Sequence, residues 1–405
     1  MLSQYYWPEN FRINELTQSL LSQGIEVEVL TGKPNYPMGE CFTGYRAWGC
    51  VKEQHGGIPV YRMPLFPRGK GAWRLALNYL SFVVSGIFFS PWMLRGKHYD
   101  IIFVFAPSPI LQAIPAIWLG WIKRCPSVLW IQDLWPESLS ATGYIKAASV
   151  LNGVRHVVSY IYRRMDLLLV QSRAFVPKVR EQAGKTPIEY YPNSFTEVVG
   201  LTEVAAQPLL PQGDAFTILF AGNIGTAQAV EIIIDAAELL LHEPRIQFVV
   251  VGDGSRRAWM LSEVERRGLS NVTLPGRFPV EAMPSILSQA SALLVTLSDS
   301  EVFRLTIPSK IQAYMAAGKP ILASLNGEGA TLVLEAGAGL ASAAGDAQAL
   351  ADSVSRMYKL SKFERAAMGE NARAYFSQHF SHSKLVDQLI DCLHQVVKRN
   401  KETRI

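Results

Sequence analysis

Pro308, Ser309 and Lys310 stand together at the mouth of an apolar helical pattern, in the stretch FRLTIPSKIQAYMAAGKPIL at residues 303–322. Thr306 is placed to cap that helix, and Pro308 is tolerated in its first turn. Gly318 is placed to end it, with Pro320 beyond. A lysine in a first helical turn is opposed by the helix dipole by roughly 0.3–1 kcal/mol, and a bound anion reverses the sign. Ser309, Lys310 and the free N–H groups of that turn could therefore hold a phosphate. The alternative is a solvated lysine on a helix shoulder. Arg304 lies just before, and Arg277 follows the apolar run Val272–Leu274, so three cations are expected at one sheet edge. Such a cluster suits a diphosphate.

A second corner points the same way. Phe220-Ala221-Gly222-Asn223-Ile224-Gly225-Thr226 reads as a strand running through two glycines into a helix. Exposed N–H groups at a helix start attract phosphate, although an ordinary strand-to-helix turn carries glycine too. The spacing is not G-x-G-x-x-G, so a dinucleotide fingerprint is not met. Gly252-Asp253-Gly254-Ser255 is a weaker case, read as a plain turn. In the first half, Trp130-Ile131-Gln132-Asp133-Leu134-Trp135-Pro136-Glu137-Ser138 sets two carboxylates and two tryptophans around a strand end. A carboxylate there could orient a hydroxyl or take its proton, and a tryptophan face suits a sugar ring. Alternatively Asp133 or Glu137 pairs only with N–H groups at a helix start.

These residues need a scaffold that brings strand ends together. Short apolar runs alternate with helical patterns along the whole chain. The runs are Glu26–Thr31, Pro59–Met63, Ile101–Phe105, Ser127–Gln132 and Leu167–Gln171, then Thr217–Ala221, Gln247–Val251, Val272–Leu274, Ala292–Thr296 and Ile321–Ala323. The alternation predicts α/β architecture with parallel sheets covered on both faces. Two such domains are expected: 1–196, a polar linker at 197–214, and 215–380, followed by a last helix and tail at 381–405. The start, MLSQYY, reads as the end of a truncated first strand. Ligands of open parallel sheets bind beyond the carboxyl ends of the strands. That selects the loops Tyr6–Arg12, Ala106–Pro109, Gln132–Glu137, Gly222–Thr226, Gly252–Arg257, Gly276–Phe278 and Ser298–Lys310.

Composition narrows the partners. The 405 residues carry a formal net charge of +5. Residues 1–200 hold 20 Lys and Arg against 13 Asp and Glu, the remainder 19 against 21, so the basic excess lies in the first half. With no basic run, nucleic acid is not the expected partner. Four cysteines and seven histidines show no zinc spacing, and no metal constellation or P-loop appears. Residues 75–94, LALNYLSFVVSGIFFSPWML, carry no charge and are flanked by Arg68, Lys70, Arg74, Arg95 and Lys97. Three readings stay open for this run: a spanning helix, a buried core helix, or a helix lying in the membrane interface. Trp73, Trp92 and the bracketing cations favour the last.

The sequence resembles the family 4 retaining glycosyltransferases, in particular the bacterial N-acetyl-L-fucosamine transferase-like subgroup of O-antigen and capsule assembly. The carriers are YYWPENFRI (5–13), QDLWPES (132–138), QSRAF (171–175), YYPNSF (191–196), FAGNIGTAQ (220–228), VVVGDG (249–254), LPGR (274–277) and IPSKIQAYMAAGKPI (307–321). The resemblance implies a GT-B fold: two Rossmann-like domains facing a central cleft, with the C-terminal helix crossing back to the first. It implies a UDP-sugar donor and no bound metal or other cofactor. Gly222, Asn223, Gly225, Thr226 and Gly252 would face the donor phosphates, and backbone near Gly276 and Arg277 the base. Pro308, Ser309 and Lys310 would contact the diphosphate. Glu9, Asn10, Phe11, Arg12 and Trp135 would serve the acceptor side.

Two departures stand out. The wider family has two glutamates eight positions apart, and here those positions are Leu305 and Ala313. Glu301 would then replace the first, and Gln312 would contact the ribose. The family's basic residues of the phosphate loop are Asn223 and Gln228 here, and its acceptor-side basic position is Gln132. The expected activity is transfer of a sugar, plausibly N-acetyl-L-fucosamine or a related N-acetylated hexose, to a polyprenyl-diphosphate-linked glycan. Asp133, Glu137, Arg304 and Lys310 are the expected catalytic residues. The expected location is cytoplasmic, peripheral or monotopic on the inner face of the bacterial inner membrane. A UDP-sugar 2-epimerase and a non-catalytic membrane-docking protein on the same scaffold are the alternatives.

Overall fold

In a computed structural model the chain divides into two units, Met1–Pro192 with Leu385–Ile405, and Asn193–Lys384. The structure describes residues 1–69, 71–141, 147–196 and 213–402, so nearly all of the expected linker at 197–214 lies outside the described residues.

In the first unit the apolar runs form strands β1 (Val29–Thr31), β2 (Val51–His55), β3 (Ile58–Arg62), β4 (Ile102–Ala106), β5 (Ser127–Ile131), β6 (Leu167–Val170) and β7 (Ile188–Tyr190). Their order is β1-β3-β2 and β4-β5-β6-β7. Leu2 bridges Leu30 and Val104, both in parallel, and so joins the two runs into one sheet. All pairs are parallel except β2 with β3. The antiparallel β2 departs from the all-parallel expectation. It is an edge strand whose residues are mostly exposed, so it carries no apolar run to announce it. The last helix, His382–Glu402, buries Leu385, Val386, Leu389 and Val396 in the cluster that holds Tyr6, Leu16 and Trp130. Tyr191 fixes its start by donating to the Leu385 carbonyl at 3.0 Å.

The uncharged run of the first unit forms the helix Ala72–Met93, long and apolar enough to cross a membrane. It is apolar on both faces, unlike an amphipathic surface helix of a water-soluble domain. Asn78, Tyr79, Phe82, Val83, Ser85, Gly86 and Ser90 are buried, while Trp73, Leu77, Leu80, Val84, Phe88 and Trp92 are exposed. Asn78 ties the inward face down: it accepts from Gln4 Nε2 at 2.7 Å and donates to the Phe66 carbonyl at 2.6 Å. The buried-core reading therefore fails for one whole face of the helix.

The second unit holds β8 (Phe216–Ala221), β9 (Ile246–Val251), β10 (Val272–Gly276), β11 (Ala292–Thr296), β12 (Ile321–Ser324) and β13 (Gly339–Ser342). All run parallel in the order β10-β9-β8-β11-β12-β13. Alternate residues supply two apolar layers: Leu219, Val249, Leu293 and Val295 on one face, Ile218, Phe248, Val250 and Leu294 on the other. Helices cover both, which is why these strands read as continuous apolar runs. From β8 the chain builds outward through β9 and β10, then returns to add β11 on the other side of β8. Such a reversal opens a crevice at the carboxyl ends of the strands.

Candidate functional site

The strand ends β8, β9 and β10 converge on three glycines, Gly222, Gly252 and Gly276. Gly222 N–H donates to the Val251 carbonyl at 2.9 Å, and Gly252 N–H to the Gly276 carbonyl at 2.8 Å. Gly252 is required both for space and for conformation, and Gly222 for conformation. Gly252 has φ +141°, and a β-carbon there would lie 1.8 Å from the Gly222 carbonyl oxygen. Gly222 has φ +139°, and a β-carbon there would lie 2.5 Å from Lys310 Cε. The backbone at this corner is thus open to close approach from the side that Lys310 covers.

Lys310 occupies the first turn of the helix Ser309–Ala317, as expected. Pro308 is its N-cap with φ −59°, and Gly318 ends it in the left-handed conformation. Thr306 does not cap this helix, because it closes a separate short helix, Glu301–Leu305, capped by Ser300. The Lys310 ammonium sits 3.5 Å from the centre of the Phe220 ring, enclosed and with no hydrogen-bond partner among the described residues. Burial lowers its pKa to about 7. An enclosed ammonium facing only an aromatic ring and glycine backbone is a place built for an anion.

A cavity of about 670 Å³ opens from this corner. Gly222, Asn223, Gly252, Asp253, Arg277 and Lys310 line its polar end. Phe278, Met283, Leu287, Ala313, Ala316 and Ala317 line an apolar wall, and Arg373 lies along it too. The volume and the mixture of a few polar groups with an apolar wall suit a nucleotide-sized ligand.

The structure brings Lys310, Arg277, Gly222, Asn223 and Gly252 together and leaves other expected residues aside. Arg304 is the main correction. Its guanidinium pairs two-pronged with Asp299, at 2.6 and 2.5 Å, and is not part of the cavity lining. That pairing draws Asp299 down to about 2. The expected trio of cations is therefore a pair. Gln312, the expected ribose contact, is buried outside the cavity lining: its Nε2 donates to the Asn193 carbonyl at 2.6 Å, and its Oε1 has no partner among the described residues. Glu301 begins the short helix away from the cavity lining. Gly225 and Thr226 lead into the 3-10 turn Thr226–Gln228, and Asn223 is held by the Gln228 side chain at 3.0 Å. Ser309 is exposed.

In the first unit Asp133 and Glu137 stand at the end of β5. Burial raises Asp133 above the usual carboxylate range, partly offset by the Ser138 hydroxyl that donates to it. One Glu137 oxygen, Oε2, is buried without a hydrogen-bond partner among the described residues. Tyr162, buried nearby, is pushed up by burial and by both carboxylates. Trp135 is only 5% exposed and tilts against Tyr79, so it is a packing residue rather than an open platform. Glu9 is likewise internal. Its carboxylate accepts from the N–H groups of Asn35 (2.8 Å), Tyr36 (2.7 Å) and Tyr6 (3.3 Å), which ties two loops together. Burial raises it to about 7. Phe11 stacks on Tyr5 with centroids 4.9 Å apart, Arg12 opens the first helix and Asn10 is exposed. Among the described residues no three His, Cys, Asp or Glu side chains form a metal-binding group.

Two family models match this chain, one after the other, and together cover most of it. The glycosyl transferase 4-like domain matches residues 10–194, and glycosyl transferases group 1 matches residues 215–359. The chain is a family 4 glycosyltransferase. Similar proteins are a putative colanic acid biosynthesis glycosyl transferase, WcaI, of Escherichia coli and a probable glycosyltransferase, WbjE, of Pseudomonas aeruginosa. The first is 27% identical over 75% of this chain and 76% of that protein, the second 25% over 73% and 74%. Among solved structures, Anabaena HepE in complex with UDP matches with a TM-score of 0.70 at 17% identity, over 97% of this chain and 98% of that one. The fold of the glycosyltransferase is GT-B.

Sequence reasoning missed several residues of the glycosyltransferase's cavity. Arg373 lies on the helix Lys362–His379, far along the chain from the corner it serves, and no local motif marks it. Met283 and Leu287 form part of the wall, on the helix Met283–Gln289. Their apolar spacing looks like any core helix, so nothing in the sequence separates a wall from a core.

Proposed function

We propose that this glycosyltransferase moves a sugar, an N-acetylated hexose such as N-acetyl-L-fucosamine, from a UDP-sugar to a polyprenyl-diphosphate-linked glycan. The setting is bacterial surface polysaccharide assembly, O-antigen or capsule, at the inner face of the inner membrane. The observation that carries the donor half is the Lys310 ammonium, without a hydrogen-bond partner among the described residues, beside Gly222, with Gly252 and Arg277 lining the same cavity. HepE, of the same fold, is a UDP complex, and the relatives bear names from colanic acid synthesis and glycosyl transfer.

The diphosphate would lie against the glycine corner with its charge met by Lys310 and Arg277, without a metal ion. As the sugar–phosphate bond breaks, charge grows on the departing oxygen, and cations fixed in place stabilise that state more than the ground state. The nucleoside would follow the apolar wall along Ala313 and Ala317. Glu137, with an oxygen that has no partner among the described residues, is the better placed of the two carboxylates to steer the acceptor hydroxyl, since Asp133 is already held by Ser138. The membrane surface would be met by the first unit.

Calorimetry with UDP, followed by product analysis with a UDP-sugar and a polyprenyl-diphosphate acceptor, tests this reading. Saturable UDP binding and a lengthened lipid-linked glycan are expected. No UDP binding removes the donor assignment, and an epimerised nucleotide-sugar formed from donor alone replaces transfer with epimerisation.

A further inference from the structure

The helix Ala72–Met93 turns its apolar side outward. Trp73, Leu77, Leu80, Val84, Phe88 and Trp92 recur every three or four residues and form one stripe, with Trp73, Phe88 and Trp92 each more than 60% exposed. The neighbouring helix Ala113–Lys123 widens it. Its exposed Trp118 and Trp121 stack at 5.3 Å, and Trp118 donates to the Ile87 carbonyl at 3.1 Å, which fixes the pair beside the first helix. Aromatic residues at the two ends of an apolar stripe fit the level where lipid headgroups meet acyl chains. Arg74 lies over the Trp73 ring at 5.5 Å, the placement of a side chain that reaches from an apolar face toward phosphate.

The next helix in this layer, Ala148–Arg164, packs against Ala113–Lys123 and has no acidic residue. Arg155, Ser159 and Arg163 form one row along it, and His156, Tyr160 and Arg164 the row beside it. Together they line an open groove of about 570 Å³. Their contacts are with neutral groups. Arg155 donates to Asn152 Oδ1 at 2.9 Å, Arg163 to the Gln182 carbonyl at 3.2 Å, and Arg164 lies over the Tyr160 ring at 5.5 Å. Among the described residues no carboxylate pairs with any of the three arginines. Exposed Val150, Val157 and Tyr160 continue the apolar character onto this helix.

We propose that the groove of Arg155, Ser159, Arg163 and Arg164 binds the phosphate headgroups of anionic lipids while the outward stripe of Ala72–Met93 and the Trp118–Trp121 pair lie in the bilayer interface. This rests on the membrane-surface part of the proposed function and names its lipid. An apolar stripe alone partitions into any bilayer, whereas three uncompensated guanidinium groups beside it select a negative surface. A protein partner of the same size is disfavoured by the tryptophan and arginine bracketing, which matches a two-phase boundary rather than a packed interface.

The full chain is floated with phosphatidylcholine vesicles and with vesicles containing phosphatidylglycerol, at low and high salt. Wild type is expected on both, more tightly on the anionic ones, with the difference shrinking in high salt. Arg155→Ala/Arg163→Ala/Arg164→Ala is expected to lose on the order of tenfold or more in binding to anionic vesicles and nothing on neutral ones. Trp92→Ala/Trp121→Ala is expected to weaken both. All five residues are exposed, and far-UV circular dichroism with thermal unfolding checks that the variants fold. A triple arginine variant that binds anionic vesicles as tightly as wild type overturns the groove assignment alone. Wild type that floats with neither vesicle overturns the membrane reading, and the groove with it.

Discussion

The Lys310 ammonium lies 3.5 Å from the centre of the Phe220 ring and has no anionic partner among the described residues. Phe220 belongs to β8 and Lys310 to the helix that covers its end, so the strand itself supplies the face on which the cation rests. The ring offsets only part of the cost of enclosing the charge.

Replacing that lysine separates binding from stability. Lys310→Met keeps the length of the side chain and removes the buried charge. It is expected to leave the melting temperature unchanged or higher, while turnover falls by about 10²–10³, the loss typical of removing one donor to a developing anion. Thermal unfolding and a radiolabelled transfer assay check both halves. Unchanged turnover would exclude Lys310 from the diphosphate.

The same group predicts a pH dependence. Its pKa in the folded protein is about 7, against an ordinary value of 10.5. An anion beside it raises that pKa, so binding takes up a proton above pH 7. Affinity for a UDP-sugar, whose diphosphate does not titrate in this range, should be full below about pH 7 and decline as pH rises. Without ligand the sign is opposite for stability. The unfolded chain binds the extra proton between 7 and 10.5, so this group makes the fold more stable as pH rises through that window and less stable as pH falls through 7. Urea unfolding at several pH values, compared with Lys310→Met, isolates the contribution.

Gly252→Ala tests the glycine corner. Its β-carbon would overlap the Gly222 carbonyl at 1.8 Å on a backbone with φ +141°. Destabilisation of about 2–4 kcal/mol is expected from strain and forced backbone movement together, read by urea unfolding. UDP binding should be lost even at temperatures where the variant remains folded.

Arg304→Ala should change little. Its guanidinium is engaged by Asp299 and exposed, and such surface pairs contribute little. UDP affinity within about threefold of wild type is expected by calorimetry. A tenfold loss would return Arg304 to the diphosphate site.

What the sequence revealed and what it hid follow from physical range. β8, β9, β11 and β12 were legible because strands covered on both faces must be largely apolar, whereas β10, at the sheet edge, shows only the short run Val272–Leu274. The helix at Ser309–Ala317 was legible as an element and at its end, since Gly318 carries the chemistry that stops it. Thr306 misled because two short helices meet there, and a capping residue for one resembles a capping residue for the other. Arg304 misled because proximity in sequence does not say which carboxylate a long side chain reaches first; Asp299 was five residues away. Gln312 sits on the helix of Lys310 but turns to Asn193, a partner from the far end of the unit's sequence. The helix Ala72–Met93 was visible as an apolar run, yet which face turns inward depended on Asn78 finding Gln4 and Phe66, which only the folded chain brings near.

The helix His382–Glu402 completes the first unit with residues made after the whole of the second. On the ribosome, Tyr6, Leu16 and Trp130 emerge early and must wait for Leu385, Val386 and Leu389 before their cluster closes. The half of the protein that is translated first is therefore the half whose interior is sealed last, and a nascent chain stalled before this helix would hold an unfinished apolar surface open to chaperones.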